Sequence, residues 1–283
     1  ESMSSAPYLA PKHRFGARMG DARLIDSMMN DGLTDAYSNK AMGFAGELCA
    51  RKMEITREEQ DAYALRSYEC AKKAYASGAF REEMIPVTIR GRKGKATVVS
   101  KDEEAERKVS NISKLRPAFD RKNGTITAMN ASTISDGAAA LVLVSSKWVK
   151  ERRRGADAVV PLCKLIASAD AALEPMWFTT APSLATVNVL QRAKMKLSDM
   201  DLFEFNEAFS VVALANQKIL GLHPEKVNVN GGAVSLGHPL GCSGARIVVT
   251  LIHALKNRAL RHGLAAICNG GGGASALIVE CVP

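Results

Sequence analysis

The sequence predicts an α/β protein built in layers, and three observations carry the prediction. From about residue 158 strand and helix signals alternate; upstream, a capping box opens one long helix; and the chain closes on two apolar, strand-like runs separated by Gly270-Gly271-Gly272-Gly273. Alternation of this kind marks helices packed on the faces of a sheet, because each element has one apolar face to bury.

Residues 1–55 are rich in Met, Gly and Ser and only weakly periodic, the texture of loops with short helices. Thr56-Arg57-Glu58-Glu59 is a capping box, in which the Thr and the second Glu each satisfy the other's backbone NH. The helix it opens runs to about Ser77, where Gly78 stops it, with Ala62, Leu65, Cys70 and Ala74 as its apolar stripe. Ile85-Pro86-Val87-Thr88-Ile89 reads as a strand and residues 90–115 as a charged connection. After the small-residue run Thr127-Ala128-Met129-Asn130-Ala131-Ser132, residues 138–144 read as a further strand. Then come a strand over 159–167, a helix over 182–194, the apolar Leu202-Phe203-Glu204-Phe205, a helix over 207–220, a short strand at 227–229, a helix over 243–256, and strands at 264–268 and 274–281. The glycines between the last two permit positive φ and let a ligand approach the backbone.

With 283 residues, 47% hydrophobic and 24% charged, the composition is that of a globular chain long enough for two domains. No apolar run reaches the roughly 20 residues a spanning helix needs, and Glu1-Ser2-Met3-Ser4-Ser5 lacks the basic flank and apolar stretch of a secretory signal, so no membrane insertion is expected. Six cysteines with no C-x-x-C pair suit a reducing compartment. The net charge is +9, but the basic runs Arg90-Gly91-Arg92-Lys93-Gly94-Lys95 and Arg152-Arg153-Arg154 have no interleaved aromatics, and aromatics are 5% of the chain. They read as solvated surface rather than a nucleic-acid face.

Three sites carry chemistry. His238 lies between Gly237 and Pro239 in a glycine-flanked loop that would hold an imidazole rigidly, whereas His13, His223, His253 and His262 sit in polar or helical settings. A structural turn histidine has the same local sequence. Cys268 ends an apolar strand and is followed by Asn269 and four glycines, whose NH groups can converge on an oxyanion. Asn206 precedes a helix, where it serves as an N-cap, as a holder of a water or carbonyl, or as both. A thiol, a base and an oxyanion cradle are the parts a thiol-dependent acyl transfer needs.

The ordered set Asn206-Glu207-Ala208-Phe209-Ser210, the stretch from Val227 through Asn230-Gly231-Gly232 and Gly237-His238-Pro239-Leu240-Gly241 to Arg246, and Cys268-Asn269-Gly270-Gly271-Gly272-Gly273 resembles the thiolase family, within it the mitochondrial-type branch that acts on acetyl-CoA. The resemblance extends back through Leu115-Arg116-Pro117-Ala118-Phe119 and Asp31-Gly32-Leu33-Thr34-Asp35 to Glu1, essentially the whole chain. It implies a thiolase fold, layered α/β/α/β/α, of which this sequence holds the C-terminal half plus the loop domain. Residues 1–134 would be a loop domain that binds coenzyme A and assembles tetramers, 135–155 the last strand and helix of an N-terminal domain, and 156–283 the C-terminal domain.

The implied activity is that of an acetyl-CoA C-acetyltransferase: condensation of two acetyl-CoA to acetoacetyl-CoA and CoA, or the reverse thiolysis, through an acyl-cysteine. By the same resemblance His238 would activate the nucleophile and, with a water on Asn206, hold the enolate oxygen. Cys268 would move the α-proton, and Gly270 would give an NH to the second oxyanion site. Arg107, Leu115, Phe119, Ser132, Ala208, Phe209 and Met42 would line the coenzyme A and acyl channel, and Tyr68, Ala128, Met129, Ala131 and Val234 would surround a potassium ion. Acyl-CoA substrates, a homodimer or homotetramer, and a mitochondrial or, alternatively, cytoplasmic location are implied as well.

The family's acyl-accepting cysteine precedes the segment matching Glu1, and none of the six cysteines replaces it, so a missing N-terminal segment carrying that thiol is expected. Two smaller departures bear on specificity. Ala41 stands where a histidine is usual, widening the acyl pocket, and Met129 replaces a smaller residue, which would refill it. Trp177-Phe178-Thr179 partly matches an aromatic feature of the mitochondrial type.

Overall fold

The computed structural model describes residues 1–91, 94–152 and 158–281. Arg92 and Lys93 of one basic run and Arg153 and Arg154 of the other lie outside the described residues.

The first 55 residues hold a two-residue pairing of β1 (Tyr8–Leu9) with β2 (Ile25–Asp26), then α1 (Met42–Met53). Helix α2 (Arg57–Ser77) starts at the predicted capping box, with Glu59 N 3.1 Å from Thr56 Oγ1 and Thr56 N 2.7 Å from Glu59 Oε2, and stops at Gly78 with φ 75°. Its buried face differs from the predicted stripe. Ala62 and Leu65 are exposed, while Tyr63, Ala64, Ser67, Tyr68, Ala71 and Ala74 face inward. The stripe was hidden by polar residues that are buried because they are hydrogen-bonded: Gln60 reaches Thr125 Oγ1 at 2.9 Å and Ser67 reaches Glu207 at 2.8 Å.

Strand β3 (Val87–Arg90) pairs antiparallel with β4 (Ala96–Val99), opposing Val87 to Val99, and every residue of the two strands is exposed. The second strand falls in the stretch read as a charged connection. Residues 138–144, predicted as a strand, join no strand among the described residues. Val142 is 92% and Leu143 78% exposed. A continuous apolar run forms a strand only where a neighbour takes up its backbone NH and C=O groups. Helix α3 (Ser146–Glu151) follows, capped by Ser145 Oγ on Trp148 N at 3.1 Å.

The remainder is a four-stranded sheet of β5 (Cys163–Ala172), β6 (Leu202–Phe205), β7 (His262–Cys268) and β8 (Gly273–Cys281), in the order β5-β8-β7-β6. β6 and β7 are parallel and the other pairs antiparallel. Between them lie α4 (Ala181–Ala193), α5 (Ser210–Leu220), a single turn α6 (Ala233–Leu236) and α7 (Leu240–Asn257). The predicted strand at 227–229 is reduced to two isolated bridges, Val227 to Phe203 and Val229 to Gly231, and β5 begins four residues later than predicted.

Strand alternation sorts the core. Phe203, Phe205, Leu264, Ala266, Ala276 and Ile278 meet α4 on one face. Leu202, Ala265 and Val279 meet Ile247, Leu251 and Leu255 of α7 on the other. A third cluster joins α1 to α5 through Ala45, Cys49, Val211 and Ala215, with Cys268 at its edge. No helix among the described residues is long and apolar enough to cross a membrane.

Candidate active site

The parallel pair β6 and β7 ends with both carboxyl termini on the same edge of the sheet. Asn206 follows β6 directly, its NH bonded to Ala266 O at 3.0 Å, and Cys268 ends β7 two residues beyond Ala266. The carboxyl ends of parallel strands are where α/β sheets collect functional groups. Asn206 is not the N-cap. That position falls to Phe209, since α5 begins at Ser210.

Asn206 is 2% exposed, and its Nδ2 lies 3.2 Å from His238 Nε2 while its Oδ1 has no partner. The histidine is fixed through its backbone and its ring. His238 NH donates to Thr133 O at 3.2 Å, Nδ1 lies 2.6 Å from Ser243 Oγ, and Gly237 before it turns at φ 92°, where a side chain would run into Ser135. Burial, and then the Arg246 guanidinium, lower the imidazole pKa to about 4, so it is neutral near pH 7.

Cys268 is buried, and burial raises its thiol to about 12. Beyond it Asn269 NH closes the hairpin on Gly273 O at 2.9 Å, and Gly271 and Gly272 adopt φ of 79° and 90°. Gly272 is required here, because a Cβ would strike Leu173 O. Met42 of α1 abuts Gly270, its Cε only 2.8 Å from where a Cβ would stand. Met42, Phe119, Ala131, Ala208, Phe209 and Cys268 therefore share one apolar cluster, to which Met176 and Phe178 also belong. Ser132 joins it from the edge, its NH and Oγ both donating to Ala208 O, at 3.1 and 2.8 Å.

Tyr68, Met129, Val234 and Leu115 gather in a different cluster. Met129 thus packs beside Tyr68 rather than with Cys268. The Tyr68 hydroxyl donates to Glu104, which also takes Arg107 Nη1 at 2.9 Å. Ala128 is exposed at the turn before Met129.

Sequence reasoning passed over two supports. Glu207, fully buried, accepts from Tyr63 Oη and Ser67 Oγ at 2.8 Å, and from Asn228 Nδ2 and Val234 N at 3.0 Å, tying α2 to the histidine loop. Glu204, one turn of strand before Asn206, faces Arg246 at 3.8 Å. A charged residue inside an otherwise apolar strand, as in Leu202-Phe203-Glu204-Phe205, was the available signal.

A layered sheet with a histidine, an asparagine and a cysteine at its carboxyl edge, walled by a glycine hairpin, defines an acyl-transfer fold of the thiolase class. The thiolase N-terminal domain family matches residues 1–147 and the thiolase C-terminal domain family residues 159–281. The chain belongs to the thiolase family. It is 52% identical over 282 residues to acetyl-CoA acetyltransferase 2 of Arabidopsis thaliana, covering 99% of this chain and 69% of that protein. Among solved structures, the acetyl-CoA acetyltransferase of Bacillus anthracis superposes with a TM-score of 0.93 at 43% identity, covering all of this chain and 70% of that one. An Ascaris suum thiolase in complex with coenzyme A superposes with a TM-score of 0.90 at 44% identity over the same shares. The chain spans about seven tenths of the length of these relatives.

Proposed function

We propose that the protein is an acetyl-CoA acetyltransferase that condenses two acetyl-CoA to acetoacetyl-CoA and CoA and catalyses the reverse thiolysis. The observation that carries the reading is the meeting of a neutral imidazole, an amide on its Nε2 and a buried thiol at one sheet edge. His238 takes a proton from the acyl-accepting thiol. Cys268 is assigned to the α-proton, so a different cysteine is the acceptor. Acetyl transfer from the first acetyl-CoA leaves a CoA thiolate, which Cys268 protonates. Burial of the Cys268 thiolate makes that transfer uphill. The Cys268 thiolate so formed is a strong base. It takes the α-proton of the second acetyl-CoA, whose enolate oxygen rests on His238 and a water on Asn206. The enolate carbon attacks the acyl-cysteine carbonyl, its oxyanion meets the Gly270 NH, and collapse expels the cysteine thiolate, which takes its proton back from His238.

Met42, Phe119, Ser132, Ala208 and Phe209 line the acyl and pantetheine channel, and Leu115 and Arg107 extend it, with Arg107 for phosphate. Potassium fits the neutral oxygen donors assigned to it, the Tyr68 hydroxyl and carbonyls at Ala128, Met129, Ala131 and Val234. Bound there, it would brace the channel wall next to the Glu104–Arg107 pair. The exposed apolar side chains Val87, Ile89, Val98 and Val99 of β3 and β4 support a homodimer or homotetramer. The charge of +9 and six free cysteines fit a reducing interior, for which this reading takes the mitochondrial matrix.

Intact mass of the native protein with acetyl-CoA tests the reading. Gain of one acetyl group on a cysteine other than Cys268, together with acetoacetyl-CoA formation, is expected. A protein that binds coenzyme A without acetylation would be a binding or assembly protein instead.

A further inference from the structure

We propose that Ser243 is a positioning residue that holds the proton of neutral His238 on Nδ1 and so leaves the Nε2 lone pair free to act. The inference rests on the reading of His238 as the base. It follows from counting protons among four groups on the page. Ser243 is fully buried in the first turn of α7, with Oγ 2.9 Å from Pro239 O and 2.6 Å from His238 Nδ1. A serine hydroxyl has one proton to donate. Donated to Pro239 O, as serines in helices commonly donate to the carbonyl four residues back, it leaves Oγ as an acceptor only, and Nδ1 must then carry the imidazole proton.

Nε2 is thereby an acceptor, which matches Asn206 Nδ2 donating to it at 3.2 Å. This arrangement makes three hydrogen bonds. The opposite tautomer requires the hydroxyl to turn to Nδ1, abandoning Pro239 O, and the Asn206 amide to flip so that Oδ1 receives the proton on Nε2. It makes two bonds and places the Asn206 NH2 where Oδ1 now sits buried without a partner. An orphaned buried donor is worse tolerated than an orphaned carbonyl-type oxygen. The tautomer with a basic Nε2 is favoured, and Ser243 is the group that decides it.

Removing the hydroxyl reverses the balance. In Ser243→Ala the proton on Nδ1 has no acceptor, while the other tautomer still has Asn206 for its Nε2 proton. Long-range 15N–1H NMR of the histidine-labelled 283-residue chain at pH 7 reads the tautomer directly, without any turnover. Protonated-type Nδ1 and pyridine-type Nε2 are expected for the wild type and for Ser243→Thr, with a shift toward protonated Nε2 in Ser243→Ala. In the native protein Ser243→Ala should lower kcat roughly 10- to 100-fold, with KM little changed, and Ser243→Thr should restore it. Protonated Nε2 in the wild type would overturn the inference even if Ser243→Ala fails to fold, as would a tautomer shift with no loss of kcat. Absence of acetylation alongside the expected wild-type tautomer would sink the thiolase reading alone.

Discussion

The carboxyl edge of the sheet and the stretches 137–144 and 158–162 treat their side chains in opposite ways. At the edge Asn206, Glu207, Asn228, Ser235 and Ser243 are all within 2% of complete burial, and most of their polar atoms are partnered within the chain. In the two stretches Val142, Leu143 and Val160 are exposed by 92, 78 and 76%. The polar groups thus sit inside and the apolar ones outside, the reverse of what composition alone predicts. The difference teaches that burial here follows hydrogen-bond closure. The site completes its bonds using α2, β6, α6 and α7, whereas residues 138–144 have no backbone partner among the described residues and build no strand.

The largest effects should fall at the edge. In the native protein His238→Ala and Cys268→Ser are each expected to cost several orders of magnitude in turnover, of the size that loss of a positioned acid or base produces, roughly 10²–10⁴-fold. Steady-state acetoacetyl-CoA thiolysis checks this, and near-normal rates in either variant would remove that residue from the mechanism. Substitutions at Val142 should leave the rate within a factor of about two if the contrast between the regions holds.

Packing gives the next largest effect. Leu264 is fully buried between the sheet and α4, so Leu264→Ala should destabilise the chain by about 2–5 kcal/mol in denaturant unfolding. A loss below about 1 kcal/mol would mean that the sheet is not the cooperative core of this chain.

The fold class was legible in the alternation of strand and helix signals, and several of its details were not. His238, Cys268 and Asn206 stood out only as an ordered set, because a His-Pro pair, a Cys near a glycine run and an Asn at a helix start each have common local purposes when taken singly. The α2 boundaries were readable because a capping box and a terminal glycine are local chemistry. Its buried face was not, since Ser67 and Gln60 are inside only by virtue of Glu207 and Thr125, which are distant in sequence. Ser243 stayed hidden for the same reason: its role is visible only once Nδ1 is seen to face it. Residues 138–144 were misread because a strand is a property of pairs and the sequence shows one member.

A pH experiment sharpens the comparison from within the edge. Burial, offset in part by Arg246, raises Glu204 from 4.5 to about 8, so the folded chain keeps a proton there that the unfolded chain releases. Its contribution to stability is full below pH 4.5 and is lost as pH rises through 8, at about 1.4 kcal/mol per unit. His238 runs the other way. With its pKa lowered from 6.5 to about 4, it costs stability as pH falls through that window. Glu204→Gln, which mimics the neutral acid, should match wild type near pH 5 and exceed it by a few kcal/mol at pH 9, measured as the difference in unfolding free energy. An equal offset at both pH values would show that Glu204 is ionised throughout, stabilised by Arg246 more strongly than burial opposes it.

The smallest effect is expected at Val142, and its smallness is the test. A side chain 92% exposed has little apolar area left to lose, so Val142→Ser should change the unfolding free energy of the 283-residue chain by less than about 0.5 kcal/mol. The same substitution made in the native protein separates two accounts of this segment. An unchanged value there means that the valine faces solvent wherever it occurs. A loss of about 1–3 kcal/mol means that the segment is covered, because only a buried valine yields that much on truncation to a polar residue. In that case the strand predicted over residues 138–144 would be right about the sequence and would need its partner to form.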